Sequence, residues 1–334
     1  MGCYTYCIMS ESVVLDSFVN LDAKWQELLG TSVTNHIFLT AQWQKAWWQV
    51  FGNDYEMLLL SVHHDHKLVG IAPIKRKDGK LSFIGSTDVC DYMDFIVRHG
   101  WEDYFSPRLM DYLEPLEWNS IELDSLLPQS LTLKSLVPLA QQRGYKVETK
   151  PMNVSPQLLL PSSWEDYLTL LKTKDRHEVR RKLRRLEQTK TVNYYTITRK
   201  ELLPQAMDIF FELFQLSNTE KARFMTDQKR EFFMLMVSSL AEKGNIRLSF
   251  MEVGGSRTSS TLCFDYHNDI YLYNSAYDPA YSSLSVSLLL KVFNIRDAIN
   301  TGKKRFDFLS GGEPYKYDLG GQDVSLYRCV ISRS

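Results

Sequence analysis

The sequence predicts an α/β protein with two domains, each a mixed, mostly antiparallel sheet flanked by helices. The chain has 334 residues, which is enough for two cores of about 150 residues each. Its content of 44% hydrophobic and 13% aromatic residues can fill both cores. Both halves also show the same order of helices, hairpin strands, a helix and one more strand. This repetition indicates a duplicated α/β unit.

The elements of the first half follow from hydrophobic periodicity. Trp43, Trp47 and Phe51 recur at helical spacing. Two apolar runs flank the polar HHDH segment and predict a β-hairpin, so we interpret that segment as a solvated turn and not as a metal site. The later elements are predicted strands at KLSFIG, DYMDFIV, NSIELDSLL and YKVETK, and a helix at LTLKSLVPLAQQRG that Gly144 ends.

Three prolines mark the expected connection between the halves. Pro151, Pro156 and Pro161 lie within eleven positions of one another, and prolines are typical of connecting segments. We therefore expect one domain over residues 1–155 and a second over residues 156–334, the second beginning with a basic helix.

The second half repeats the order of the first. A strand at VNYYTI comes before two predicted helices, and three consecutive strands follow them. The first two of these strands are joined by a Gly254-Gly255 turn. The remaining elements are a helix ending at Gly302, the strand KRFDFLS, a glycine-rich loop and the final strand SLYRCVISR.

The window from Lys172 to Arg185 is strongly basic in an otherwise neutral chain. It contains eight Lys or Arg residues and two acids, whereas the whole chain has a net charge of −1. Val179, Leu183 and Leu186 form a narrow apolar stripe at helical spacing, so we expect a docked helix with its basic residues on the opposite side. A solvated basic face and a phosphate-binding face both fit this pattern.

Composition excludes several classes of protein. A net charge near zero argues against a general DNA-binding protein. The five scattered cysteines, Cys3 and Cys7 among them, lack a C-x-x-C spacing, which indicates reduced thiols and not a zinc site. The first residues show neither a signal peptide nor a myristoylation pattern, and no apolar run reaches the length of a membrane span. We therefore expect a cytoplasmic protein.

Four motifs together resemble a known family. DRHEVRRKLRRLEQ, FMTDQKREFFMLM, YLYNSAYDPAYSSLSVSLLL and FDFLSGGEPYKYDLGG follow one another at the spacing of the FemAB-like acyltransferases of the N-acetyltransferase (GNAT) superfamily. They look most similar to the CelD-like branch, which is associated with polysaccharide and cell-envelope synthesis. The resemblance spans residues 38–321 and implies two tandem GNAT-like domains, with transfer in the second or between them.

The resemblance implies an acyl-CoA donor, acetyl-CoA in the simplest case, and no metal. GNAT enzymes hold the donor pyrophosphate at a helix N-terminus, which attracts anions. Val286 and Ser287 stand where relatives tend to have proline and glycine, which predicts a narrower loop. A serine-capped helix with a leucine-rich core face is the alternative interpretation. The implied donor-binding residues are Tyr273, Asn274, Ser285, Val286, Ser287 and Leu288.

The resemblance also suggests the residues of the chemistry. Lys316 matches the lysine of the family's Tyr-Lys pair, here with Tyr315, and would stabilise charge on the acyl oxygen or bind an acceptor phosphate. Asp278, Asp307 and Glu313 are candidate bases for the amine proton. The alternatives are a plain hairpin-like loop at this glycine-rich segment and, for Asp278, a turn start at Asp-Pro.

The expected reaction is transfer of an acyl group to an amine on an anionic acceptor, sugar-linked or an envelope precursor. His177, Arg180, Arg181 and Arg184 of the basic helix are the predicted acceptor contacts. A Fem-type transferase that uses aminoacyl-tRNA, and a degenerate member that only binds its ligand, stay open as alternatives.

Overall fold

The computed structural model describes residues 12–189 and 191–333, so Cys3, Cys7 and the rest of the first eleven residues lie outside the described part. The described residues form two compact units, 12–152 with 326–333, and 153–325. The division falls inside a strand, Lys146–Leu159, where the three prolines predicted a connection with the domain boundary after residue 155. Pro156 fits the strand because its carbonyl still accepts a hydrogen bond from the Phe308 amide (3.0 Å).

The helices and strands alternate along the chain. Up to residue 159 they are β1 (Val13–Leu15), α1 (Phe18–Gly30), α2 (Ala41–Phe51), β2 (Glu56–His64), β3 (Lys67–Lys77), β4 (Lys80–Phe83), β5 (Ile96–Val97), α3 (Glu102–Leu113), β6 (Ser120–Leu126), α4 (Val137–Gln142) and β7 (Lys146–Leu159). After residue 159 they are α5 (Trp164–Leu170), α6 (Thr173–Glu187), β8 (Val192–Ile197), α7 (Leu203–Ser217), α8 (Thr219–Phe224), α9 (Asp227–Ala241), β9 (Ile246–Val253), β10 (Ser256–Tyr266), β11 (Asp269–Tyr277), α10 (Val286–Asn300), β12 (Arg305–Asp307), α11 (Pro314–Asp318) and β13 (Gln322–Ser332).

In the first unit the strands follow the order β1-β2-β3-β4-β6, and β13 pairs with the other edge of β6. Only the β4–β6 pair in this order is parallel. The predicted hairpin is confirmed: β2 and β3 join at Asp65 and His66, both with positive φ (46° and 64°), as a two-residue primed turn requires. His63 and His64 belong to β2 itself.

Two helices of the first unit had no counterpart in the sequence analysis. The buried residues of α1, which include Leu21, Trp25 and Leu28, recur at i, i+4 and i+7, a stripe that could have revealed it. Helix α3 contains Pro107, whose ring disfavours a helix interior and hides the periodic pattern. DYMDFIV was predicted as a full strand, but only Ile96–Val97 is one. The preceding loop is held by the buried Asp94 carboxylate, which accepts from the Thr34 hydroxyl (2.8 Å).

In the second unit the strands follow the order β8-β9-β10-β11-β12-β7. The β11–β12 pair is parallel and the other pairs are antiparallel. Helix α7 buries three phenylalanines, and α10 buries an apolar face that includes Leu289, Val292 and Ile295. Each unit is therefore a mixed, mostly antiparallel sheet flanked by helices, and the predicted fold class is confirmed. Within residues 12–189 and 191–333, no helix has both the length and the apolar character to cross a membrane.

Candidate active site

The candidate site begins where two parallel strands of the second unit separate. Strands β11 and β12 pair only from Asp269 to Tyr271 on the β11 side. Beyond Tyr271, β11 stays paired with β10. The chain after β12 instead stays beside β7, as the hydrogen bond from the Gly311 amide to the Val154 carbonyl (2.9 Å) shows. A gap therefore opens between residues 272–277 and residues 308–313, and we call it the wedge.

A β-bulge lies at the start of the wedge. The register with β10 pairs Asn274 with Leu262 and Leu272 with Cys263, so Tyr273 is one extra residue on β11. Bulges bend a strand and leave one residue outside the ladder, and they occur frequently beside active sites. The Tyr273 ring packs against Phe264 (4.9 Å between ring centres), so its aromatic face is part of the core.

Helix α10 begins next to β11 with an unusual N-cap. Ser285 has a left-handed backbone (φ 56°, ψ 34°) and its side chain makes no capping hydrogen bond, unlike in the serine-capped interpretation. Its hydroxyl instead accepts from Nη2 of Arg185 (3.3 Å), which comes from α6. The first amides of a helix lack intrahelical partners, and here a guanidinium adds positive charge beside them. This end of α10, which includes Ser287 and Leu288, therefore attracts anions.

The ammonium group of Lys316 binds the backbone of the glycine-rich loop. Its side chain is 3% exposed, and its ammonium donates to the carbonyls of Leu309 (2.9 Å), Ser310 (2.8 Å) and Gly311 (3.0 Å). It also forms an ion pair with Glu313 (2.9 Å). All of its N–H groups are therefore used within the protein, and they hold one side of the wedge in place.

Two further lysines, which the sequence did not reveal, lie at or next to the wedge. The ammonium of Lys221, from α8, donates to the carbonyl of Ser275 on β11. Lys291, from α10, is 3% exposed, and its ammonium lies 4.8 Å from the centre of the Tyr315 ring. Burial lowers the pKa of Lys221 to about 8 and that of Lys291 to about 7. The position of Lys291 within the apolar run LSVSLLLKVF could have indicated a buried, functional lysine.

Of the remaining candidate catalytic residues, Glu313 and Tyr315 lie at the wedge, whereas Asp307 and Asp278 are held in local hydrogen bonds. Glu313 is exposed and lies in the wedge, and Tyr315 packs beside it with a pKa that burial raises. Asp307 is fully buried and accepts from the Leu309 amide (2.9 Å) and from Gln157 Nε2 (3.1 Å). Asp278 follows β11 and accepts from the Ala280 amide (2.9 Å), which is the turn-forming role.

The basic helix α6 is docked as predicted. Val179 and Leu186 are buried, and Leu183 packs between two core clusters. Arg181 forms a bidentate pair with Glu178 on its own helix (2.7 and 2.9 Å). The other predicted acceptor contacts, His177, Arg180 and Arg184, line a surface cavity of about 500 Å³ together with Trp164, Glu165, Leu168, Leu183 and Glu187.

Within the described residues, no group of three or more His, Cys, Asp or Glu side chains is arranged to hold a metal ion. Cys90, Cys263 and Cys329 are buried free thiols, and burial raises the pKa of each.

Part of the second unit matches a known protein family. Residues 173–317 match the family described as acetyltransferase (GNAT) domain, and this stretch contains the wedge and the start of α10. This part of the second unit is thus similar to GNAT-type acetyltransferase domains. A comparison with curated protein sequences finds no match to the chain.

Solved structures share the fold across both units. FemX has a TM-score of 0.66 at 11% identity, covering 95% of this chain and 96% of its own. The C-terminal domain of a putative lysylphosphatidylglycerol synthetase from Agrobacterium fabrum has a TM-score of 0.60 at 8% identity, covering 94% and 92%. A tandem GNAT protein from the clavulanic acid biosynthesis pathway has a TM-score of 0.51 at 10% identity, covering 96% and 97%. At these identities the likeness shows the fold, which is that of tandem GNAT-like domains.

Proposed function

We propose that the protein is an N-acyltransferase that moves an acyl group from acyl-CoA to an amine. The observation that carries this proposal is the wedge between β11 and β12 beside the N-terminus of α10, within the stretch that matches the GNAT family. Amides at a helix N-terminus attract phosphates, so the donor pyrophosphate lies there, close to Arg185. The thioester then extends into the wedge along β11.

The acceptor amine attacks the thioester carbonyl directly, so a C–N bond forms as the C–S bond breaks. Backbone groups of β11 near the bulge at Tyr273 polarise the carbonyl, and the exposed Glu313 carboxylate takes the amine proton. Lys316 keeps the loop from Leu309 to Gly311 in place and does not contact the reacting atoms. Asp307 and Asp278 are structural in this scheme because both carboxylates are used in local hydrogen bonds.

The acceptor is anionic in this proposal, because three basic side chains of α6, His177, Arg180 and Arg184, meet at one cavity. Within the described residues, only Arg180 among them has a carboxylate partner, Glu165 (3.7 Å), and Glu187 also lies at this cavity. His177, Arg180 and Arg184 suit a phosphate, and Trp164 offers an aromatic face beside them. Leu183 borders this cavity and packs against the core cluster that also contacts Leu288 and Tyr315. An amine on a phosphorylated, sugar-linked or cell-envelope precursor, as in the CelD-like branch, fits these contacts.

Thermal unfolding with coenzyme A and with acetyl-CoA tests the donor. A ligand that binds only the folded protein at about 100 times its Kd adds about 2.7 kcal/mol of stability, so a rise of several degrees in Tm is expected. Thiol release from acetyl-CoA with a panel of phosphorylated amino sugars then tests transfer. No shift with either ligand would contradict the proposal, and binding without transfer to any amine would favour a member that only binds its ligand.

A second candidate is transfer from aminoacyl-tRNA. It is favoured by the fold shared with FemX and with the lysylphosphatidylglycerol synthetase domain, and by the basic surface of α6. Salt distinguishes the two donors. Affinity for tRNA should fall steeply between about 50 and about 200 mM salt because many phosphates are neutralised, whereas affinity for CoA, which has fewer phosphates, should fall less.

A further inference from the structure

The wedge contains more positive than negative charge. Lys221 and Lys316 contact its two sides, and Lys291 lies close enough to interact electrostatically with both. Within the described part of the chain, Glu313 is the carboxylate that acts on all three. Glu313 forms an ion pair with Lys316, and its charge also acts on Lys221 and Lys291. One carboxylate therefore balances one of three ammonium groups.

The three lysines differ in how fully their N–H groups are used. Lys316 donates to three carbonyls as well as to Glu313. Lys221 donates to the Ser275 carbonyl, and Lys291 donates to the carbonyl (3.1 Å) and hydroxyl (2.9 Å) of one residue, Ser287. Because an ammonium has three N–H groups, Lys221 and Lys291 each keep at least one without an acceptor among the described residues.

Unbalanced ammonium groups in a buried position are costly, and Lys291 is only 3% exposed. Methionine or leucine would fill the same position on α10 without this cost. A bound anion would offset it, because it would pair with Lys291 and Lys221 and use their remaining N–H groups.

We propose that the wedge holds a carboxylate at the far end of the donor's acyl group, bound by Lys221 and Lys291. The donor is then the thioester of a short dicarboxylic acid, and this inference rests on the proposed acyl-CoA donor. Phosphate is a poorer occupant, because the donor phosphates are placed outside the wedge, at Arg185 and the first residues of α10. An aminoacyl group is also a poorer occupant, because its α-ammonium would be repelled by both lysines.

The transfer step balances without a further reactant. The acceptor nitrogen bonds to the thioester carbonyl carbon, the C–S bond breaks, and the amine proton is passed through Glu313 to the leaving thiolate. The products are free coenzyme A and an amide whose acyl chain ends in a carboxylate. The neutral amine thus becomes an amide that carries the negative charge of the acyl carboxylate.

Two thioesters of equal chain length test the proposal on the unaltered protein. Succinyl-CoA ends in a carboxylate where butyryl-CoA ends in a methyl group. We expect succinyl-CoA to bind at least about tenfold more tightly in calorimetric titration, since one charge-assisted contact in a buried site is worth about that factor. Lys221→Met and Lys291→Met should each bring the affinity ratio close to one, whereas Lys304→Met, an exposed lysine, should leave it unchanged.

Each outcome separates the two proposals. Equal or weaker binding of succinyl-CoA would overturn the carboxylate site and leave an acyl-CoA donor intact. Binding of neither thioester, nor of free coenzyme A, would overturn the acyl-CoA donor and this inference with it. If a methionine variant does not fold, as judged by its near-ultraviolet circular dichroism, the ratio measured on the unaltered protein still decides.

Discussion

The ammonium nitrogen of Lys291 lies 2.9 Å from the hydroxyl oxygen of Ser287, one turn earlier on α10. This contact joins the helix end, where we propose that the donor phosphates bind, to the region where the acyl group would lie. Burial is the main cause of the low pKa of Lys291, and repulsion from Lys221 and Lys316 lowers it further. Glu313 and the Cys263 thiol act in the opposite direction.

The first prediction concerns pH and stability. The pKa of Lys291 is about 7 in the folded protein, against 10.5 for an ordinary lysine. Between these values the unfolded chain binds more protons, so the contribution of Lys291 to the unfolding free energy rises with pH and is most unfavourable below pH 7. Lys291→Met should therefore increase the unfolding free energy by about 1–3 kcal/mol near neutral pH, less toward pH 10.

Urea unfolding at several pH values measures this difference. Lys304→Met serves as the control, because Lys304 is exposed and its replacement should leave the curve unchanged at every pH. A Lys291→Met effect that stays constant from pH 6 to pH 10 would show that Lys291 does not titrate in this range.

The second prediction is that Lys316 stabilises the fold and takes no part in the chemistry. Lys316→Met leaves the carbonyls of Leu309, Ser310 and Gly311 without their donor, so the unfolding free energy should fall by about 2–4 kcal/mol. Denaturant unfolding measures the loss, with Lys304→Met again as the matched control. A variant with unchanged stability but no transfer activity would instead place Lys316 in the chemistry, as the family resemblance implies.

The third prediction concerns the close approach at Gly321. A Cβ atom there would lie 2.8 Å from the Lys316 carbonyl oxygen and 2.9 Å from Pro156 Cβ. The Lys316 carbonyl cannot move away easily, because it accepts from the Gly321 amide itself (2.8 Å). Gly321→Ala should lower the unfolding free energy by about 1–3 kcal/mol. Gly30→Ala at the end of α1 should be neutral or slightly stabilising, because an added Cβ there would have no atom within 4 Å apart from its chain neighbours and the nearby backbone of its own helix.

The fourth prediction separates two arginines of α6. Arg185 contacts Ser285 at the start of α10, whereas Arg181 is paired with Glu178 on the exposed face. Arg185→Ala should raise the Kd for coenzyme A about tenfold, because a charge-assisted phosphate contact is lost. Arg181→Ala should change it less than about twofold, since exposed ion pairs contribute little. Equal effects of both variants would indicate a general charge effect and not a donor contact.

Much of the architecture could be predicted from local patterns. The β2–β3 hairpin followed from alternating apolar runs around a polar turn, and the docked stripe of α6 followed from the spacing of Val179, Leu183 and Leu186. The boundary region was harder. Its prolines are typical of a connection, but β7 continues through Pro151 and Pro156, because the carbonyl of Pro156 still pairs with the chain that follows β12.

The sequence by itself determined the fold class, the β2–β3 hairpin, most elements of the second unit and the stretch with the GNAT motifs, because these depend on periodicity and on residues close along the chain. The tertiary structure decided the site. Lys221, Lys291 and Lys316 lie on three different helices and meet only where β11 and β12 separate. The partners of a charged residue cannot be read from its local pattern. Lys316 donates to the loop carbonyls, Arg185 contacts Ser285 at the start of α10, and Arg181 pairs with Glu178 on its own helix. The roles of these side chains depend on burial and on distances between segments that are far apart along the chain. The residue pattern of a single helix gives no information on either.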